Sequence, residues 1–126
     1  MIKLTIEKIV ELHHKMALAT GGEPNIRDMG LLESSVHSPY ACFGDMEAYP
    51  TIKEKGARLG YSLISNHAFF DGNKRIGVYA MMVFLTVNGV KLNPSNAQVE
   101  EIALSVASGE SDYGSLLAWV ETCEVK

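Results

Sequence analysis

Apolar residues recur at helical spacing along most of the chain, and polar capping signals divide the pattern into about six segments. Ile6, Ile9, Val10, His13, Met16 and Ala17 mark one face of a first helix, which follows a short lead-in at Met1–Thr5 and stops at Gly21-Gly22. Asp28 suits the cap of a second helix reaching about Ser38, where Pro39 discourages continuation. Tyr40 to Pro50 mixes aromatic and small residues with no clear period, which predicts a loop or small hairpin. Thr51-Ile52-Lys53-Glu54 has capping-box spacing and opens a helix to about Asn66. On that helix Ile52, Gly56, Leu59, Gly60 and Leu63 share a face, and the two glycines allow a neighbouring helix to come close.

The next helix, from about Asn73 to Asn88, is apolar nearly all round, so it must be enclosed by others, and Asn88-Gly89 gives it a stop. Ser95-Asn96-Ala97-Gln98 is a second capping box, opening a helix that ends near Gly109. Asp112 then caps a last helix carrying Leu116, Leu117, Val120 and Cys123. The expected fold class is all-α: a helical bundle of about six helices around a central buried one, with at most a small hairpin.

Composition narrows this picture. A chain of 126 residues that is 47% hydrophobic suits one domain over residues 1–126. A net charge of -4 gives no electrostatic footprint for nucleic acid, so direct nucleic-acid binding is not expected. The longest apolar run, Ile76 to Val87, is about half of the roughly 20 residues that span a bilayer, which argues for a core helix and no membrane anchor. Cys42 and Cys123 stand in unrelated contexts without metal-ligand spacing, and no signal peptide is apparent, consistent with a reducing cytoplasm. His13-His14 invites a metal reading, but adjacent helical positions point about 100 degrees apart, so one inward and one outward histidine is the expected arrangement.

The chemistry concentrates in His67-Ala68-Phe69-Phe70-Asp71-Gly72-Asn73-Lys74-Arg75, a polar loop running into the central helix. The first amides of a helix lack acceptors and sit at the positive end of its dipole, so they hold phosphate. Gly72 permits close backbone approach, while Lys74 and Arg75 add full charges. Asp71 has the wrong sign to touch phosphate and needs a magnesium ion between them; its plainer role is a cap on the following helix. An imidazole such as that of His67 can take a proton from an attacking hydroxyl. Base, metal ligand and phosphate cradle together suggest phosphoryl or nucleotidyl transfer, set against a merely solvated basic cluster. Phe69 reads as a structural anchor of the loop. Arg27 either reaches the site or serves as a cap or salt bridge.

The nonapeptide resembles the signature loop of the Fic/Doc superfamily, with Ala68 in place of the usual proline. Lys74 stands where adenylyl-transferring Fic enzymes usually have glycine, and Val78 where they commonly carry a second arginine; both features resemble the Doc (death-on-curing) toxin branch of toxin-antitoxin pairs. The likeness extends to Gly21-Gly22, Ile26-Arg27-Asp28, Leu31-Leu32-Glu33-Ser34, Tyr49-Pro50, Phe84-Leu85 and Asn88-Gly89. The resemblance implies a cytoplasmic protein kinase with ATP as substrate and Mg2+. Its catalytic base would be His67, its metal ligand Asp71 and its phosphate ligands Gly72, Asn73, Lys74 and Arg75. It further implies transfer of the γ-phosphate to a threonine of elongation factor Tu, and a flap over the active site that makes Phe43 to Tyr49 candidates. The alternatives on this scaffold are protein adenylylation and a catalytically silent partner-binding protein. No stretch has the Ser/Thr, three residues, Glu, Gly/Asn spacing of the family's inhibitory helix, so restraint is expected from a separate Phd-like antitoxin whose C-terminal segment docks in a groove.

Overall fold

The computed structural model describes all residues, Met1–Lys126, and places six helices where the capping signals set them. These are α1 (Ile6–Thr20), α2 (Met29–His37), α3 (Ile52–Asn66), α4 (Asn73–Val87), α5 (Asn96–Ser108) and α6 (Tyr113–Cys123). Thr5, Asp28, Thr51, Ser95 and Asp112 each accept a backbone N-H of the first turn, and the two capping boxes are complete at Thr51/Glu54 and Ser95/Gln98. Five of the six helix starts are thus written in the local sequence. The exception, α4, has glycine as its N-cap and no side-chain cap.

The core is one cluster in which α3 and α4 are the central pair. Glycine sets their separation. A Cβ on Gly56 would lie 2.6 Å from Leu85, and one on Gly60 would lie 3.0 Å from the Met81 side chain and 3.2 Å from the carbonyl oxygen of Gly77. Gly77, on the opposing helix, completes the crossing: its Cβ would fall 2.4 Å from Ile64 and 2.9 Å from the Gly60 carbonyl. α4 buries Ile76, Val78, Ala80, Met81, Phe84 and Leu85 against its neighbours, but Tyr79 and Val87 are exposed. The enclosure expected from its composition is therefore incomplete; α1, α3 and α5 cover it and leave one strip facing solvent.

Between α2 and α3 the chain makes one 3-10 turn at Ser38–Tyr40 and then a two-stranded antiparallel hairpin, β1 (Cys42–Phe43) and β2 (Met46–Glu47), paired Cys42 to Glu47 and Phe43 to Met46. Gly44, at φ 62, supplies the left-handed turn residue. The hairpin is fastened at its base by Lys55 of α3, which is only 3% exposed: its ammonium donates to the Glu47 carboxylate at 2.8 Å and to the Tyr49 carbonyl. A buried ammonium needs such partners, so the ion pair holds β2 onto the first turns of α3.

Next to this tether, Tyr49 and Tyr61 flank the Arg58 guanidinium at 5.6 and 5.7 Å, and both rings pack edge-on to Tyr113. The Tyr113 hydroxyl donates to the Glu54 carbonyl at 3.1 Å. Burial, and next the negative charge of Glu54, push its phenol up to about 12. The folded chain therefore holds this proton more tightly than the unfolded chain. The stabilisation is complete below the ordinary value of 10.0 and fades as pH rises towards about 12. Tyr113→Phe is expected to flatten this alkaline loss: between those two pH values its urea midpoint falls less steeply than that of the parent chain. Parallel slopes in the two denaturation series would show that Tyr113 does not carry the effect.

Candidate functional site

The loop between α3 and α4 owes its shape to a segment far upstream. α3 ends at His67, the one non-glycine residue with positive φ (φ 50, ψ 51), a left-handed conformation that turns the chain sharply out of the helix. Arg27 reinforces this exit: its Nε donates to the His67 carbonyl at 2.8 Å and its Nη2 to that of Asn66 at 3.5 Å. Of the two roles open to Arg27, the fold assigns the cap. The backbone amides of Arg27 and Asp28 both donate to the Ala68 carbonyl, Ile26 forms an antiparallel bridge with Phe69, and the Phe70 amide donates to the Asn25 carbonyl. A single added rung of β-structure thus fixes residues 67–70.

The second half of the loop is held from within. Phe69, 1% exposed, is sunk in the core and stacks on the His13 ring with centroids 3.7 Å apart and planes 10° from parallel. The Asn73 side chain accepts from the Phe69 amide at 3.0 Å and donates to the Phe69 carbonyl at 2.9 Å. Asn73 thus clamps the loop with both ends of its amide; what it retains for an anion is its backbone N-H and its second amide hydrogen. Asp71 Oδ1 accepts from the Gly72 amide at 2.9 Å. Its Oδ2 lies over Gly22, where a Cβ would come within 2.8 Å of it. Gly22 thus leaves room for the carboxylate in this position, a role the chain pattern at Gly21-Gly22 shows only as a helix stop.

Gly72 takes φ 77, a dihedral that favours glycine, and a Cβ there would lie 2.9 Å from the terminal methyl of Met16. Beyond it the amides of Asn73, Lys74 and Arg75 open α4 without a side-chain acceptor. Lys74 and Arg75 are exposed and form no ion pair within the chain. Position 78, by contrast, is 1% exposed, and Val78 faces the core.

His67, Asp71, Gly72, Asn73, Lys74 and Arg75 all line one cavity of about 550 Å³, whose far wall is built by α1 and the turn after it, from His13 to Glu23. The cavity brings an exposed imidazole, one carboxylate and the uncapped, doubly cationic start of a helix to one space. An anion bound there would meet backbone donors, two full positive charges and the positive end of the α4 dipole together. Phe43 and Tyr49, the candidate flap residues, are not in its lining: Phe43 projects from the hairpin at 76% exposure, and Tyr49 packs into the Arg58 cluster. Of the two adjacent histidines, His13 points inward and His14 outward. No group of three His, Cys, Asp or Glu side chains gathers anywhere in the chain, and no helix is long and apolar enough to cross a membrane.

Comparison with known proteins agrees with this geometry. The model of the Fic/DOC family matches residues 3–85. The chain is 39% identical over 104 residues to a protein named Toxin Doc from Mycolicibacterium smegmatis, an alignment that covers 81% of this chain and 80% of the relative. It is 26% identical over 116 residues to Protein kinase doc of Escherichia phage P1, covering 92% and 90% of the two chains.

Proposed function

The chain belongs to the Fic/DOC family, and on that premise we propose that it is a Doc-type toxin that moves the γ-phosphate of ATP to a serine or threonine hydroxyl of a translation factor. The observation that carries this reading is the shared cavity: His67 and the uncapped, doubly cationic helix start at Asn73–Arg75 line the same space. His67 accepts the proton of the attacking hydroxyl. The α4 amides, Lys74 and Arg75 bind the transferred phosphoryl group and stabilise the charge that spreads over its oxygens. Magnesium is commonly held by one or two carboxylates together with substrate phosphates, so Asp71, with Oδ2 outside the Gly72 hydrogen bond, fits an ion brought in with the nucleotide. Bound there, the ion supplies neutralisation of the phosphate charge. Lys74 and the buried Val78, in place of glycine and a second arginine, favour γ-phosphate transfer over adenylylation, as does the name of the phage relative.

By family resemblance elongation factor Tu is the first target to test, and the same resemblance favours a cytoplasmic protein restrained by a Phd-like antitoxin. Incubation with elongation factor Tu and ATP labelled at either the α- or the γ-phosphorus tests the reaction. Label only from the γ position supports the kinase. Label from the α position replaces it by nucleotidyl transfer on the same cradle, and growth arrest without label from either position points to a silent binding protein.

A further inference from the structure

His13 is a buried polar side chain in the wall of the candidate site, and the proposed reaction gives it no part. It is 1% exposed, and its Nε2 lies 2.8 Å from the carbonyl oxygen of Asp71. A carbonyl only accepts, so Nε2 carries the hydrogen and Nδ1 is left as an acceptor. That Nδ1 is buried and has no hydrogen-bond partner. A ring that served packing alone would be better as phenylalanine, which stacks on Phe69 equally well and leaves no polar atom stranded. The feature that imidazole adds and benzene lacks is the Nε2 hydrogen bond. It grips the backbone at Asp71, directly before Gly72, while Nε2 stands 3.5 Å from where a Gly72 Cβ would be. The loop is otherwise fixed by the Ile26 bridge at its start and by Asn73 at its end. Asp71 and Gly72 lie between these two supports.

We propose that His13 is a positioning residue: from α1 it holds the Asp71 carbonyl, and through it sets where the Asp71 carboxylate and the Gly72 to Arg75 amides stand relative to His67. The role in transfer rests on the function proposed above; the hold on the loop does not. His13→Phe, keeping the stack, and His13→Gln, which returns an amide donor near the Nε2 position, separate the two. In His13→Phe the thermal midpoint is expected to stay level or rise, while amide hydrogen exchange at Gly72, bonded to Asp71, and at Ile76, bonded to the Gly72 carbonyl, accelerates by about tenfold or more and the rest of the chain is unchanged. Where the parent chain transfers phosphate, kcat falls by about tenfold or more with KM for ATP within about threefold, since misplaced groups lose rate before they lose binding. His13→Gln restores part of both, and decides the matter if His13→Phe does not fold. Exchange at Gly72 and Ile76 equal to the parent's, or an increase spread over the whole chain with a lower thermal midpoint, would overturn the proposal. If the parent chain transfers no label, the reaction reading fails and the exchange result still decides the role of His13.

Discussion

Replacing His67 by glycine is expected to lower phosphate transfer by about 100- to 10,000-fold, the usual worth of a positioned general base, without unfolding the protein. The two halves of this expectation come from different atoms of one residue. The imidazole is exposed and makes no hydrogen bond within the chain, so its loss removes no packing. The backbone is what the fold uses: its left-handed dihedrals end α3, and its carbonyl accepts from Arg27. Glycine takes those dihedrals without the steric cost of roughly 1 kcal/mol or more that a side chain incurs, and loses a similar amount through its freer unfolded chain. The thermal midpoint should therefore stay level or rise slightly. His67→Ala should lose as much activity while keeping the strain. A glycine variant that labels its target at the parent rate would remove His67 from the reaction.

The largest effect on stability is expected at Gly77. Valine there would put branched carbons where even a first Cβ lies 2.4 Å from Ile64 and 2.9 Å from the Gly60 carbonyl. Ile64 is fully buried and cannot swing away, and the carbonyl belongs to the helix itself. The central pair must separate, at a cost of about 3 kcal/mol or more, which for a chain of this size lowers the thermal midpoint by roughly 10 °C. Valine at Gly56 meets the Leu85 side chain first, with no backbone atom among its nearest neighbours, and should cost less. Thermal unfolding of both variants checks the order. Equal losses would mean that the crossing is not set by Gly77.

These positions also mark how far the linear pattern reads. Helix ends were legible where one residue caps its own neighbours, as at Thr51 with Glu54 and Ser95 with Gln98, because donor and acceptor lie within four residues. The polar nonapeptide was legible as a unit, and the cavity does gather His67 with Gly72 to Arg75. Gly56 and Gly60 stand out in the sequence as a contact face, whereas Gly77 does not, since a count of apolar side chains passes over a residue that has none. Helical spacing places His13 inward, but its partner is a backbone oxygen 58 residues along the chain, which no spacing rule reports. Lys55 looks like a solvated helix charge until the hairpin brings Glu47 and the Tyr49 carbonyl to it. Asn73 shows the same limit from the other side: an amide at a helix start suggests a phosphate ligand, and the fold turns its side chain onto Phe69.

The rung between Ile26 and Phe69 has a consequence for the order of events when this protein is made. The nine residues of the candidate loop are only partly shaped by their own contacts, because their backbone is completed by amides and carbonyls from Asn25 to Asp28 and by a ring from α1. A synthetic peptide spanning residues 67–75 would bind nothing in the manner of the whole chain. A ribosome that has just released this stretch carries an unfinished site until the opening third has docked against it, since non-local contacts of this kind are slow to form. Whatever the loop binds, it can bind only after assembly.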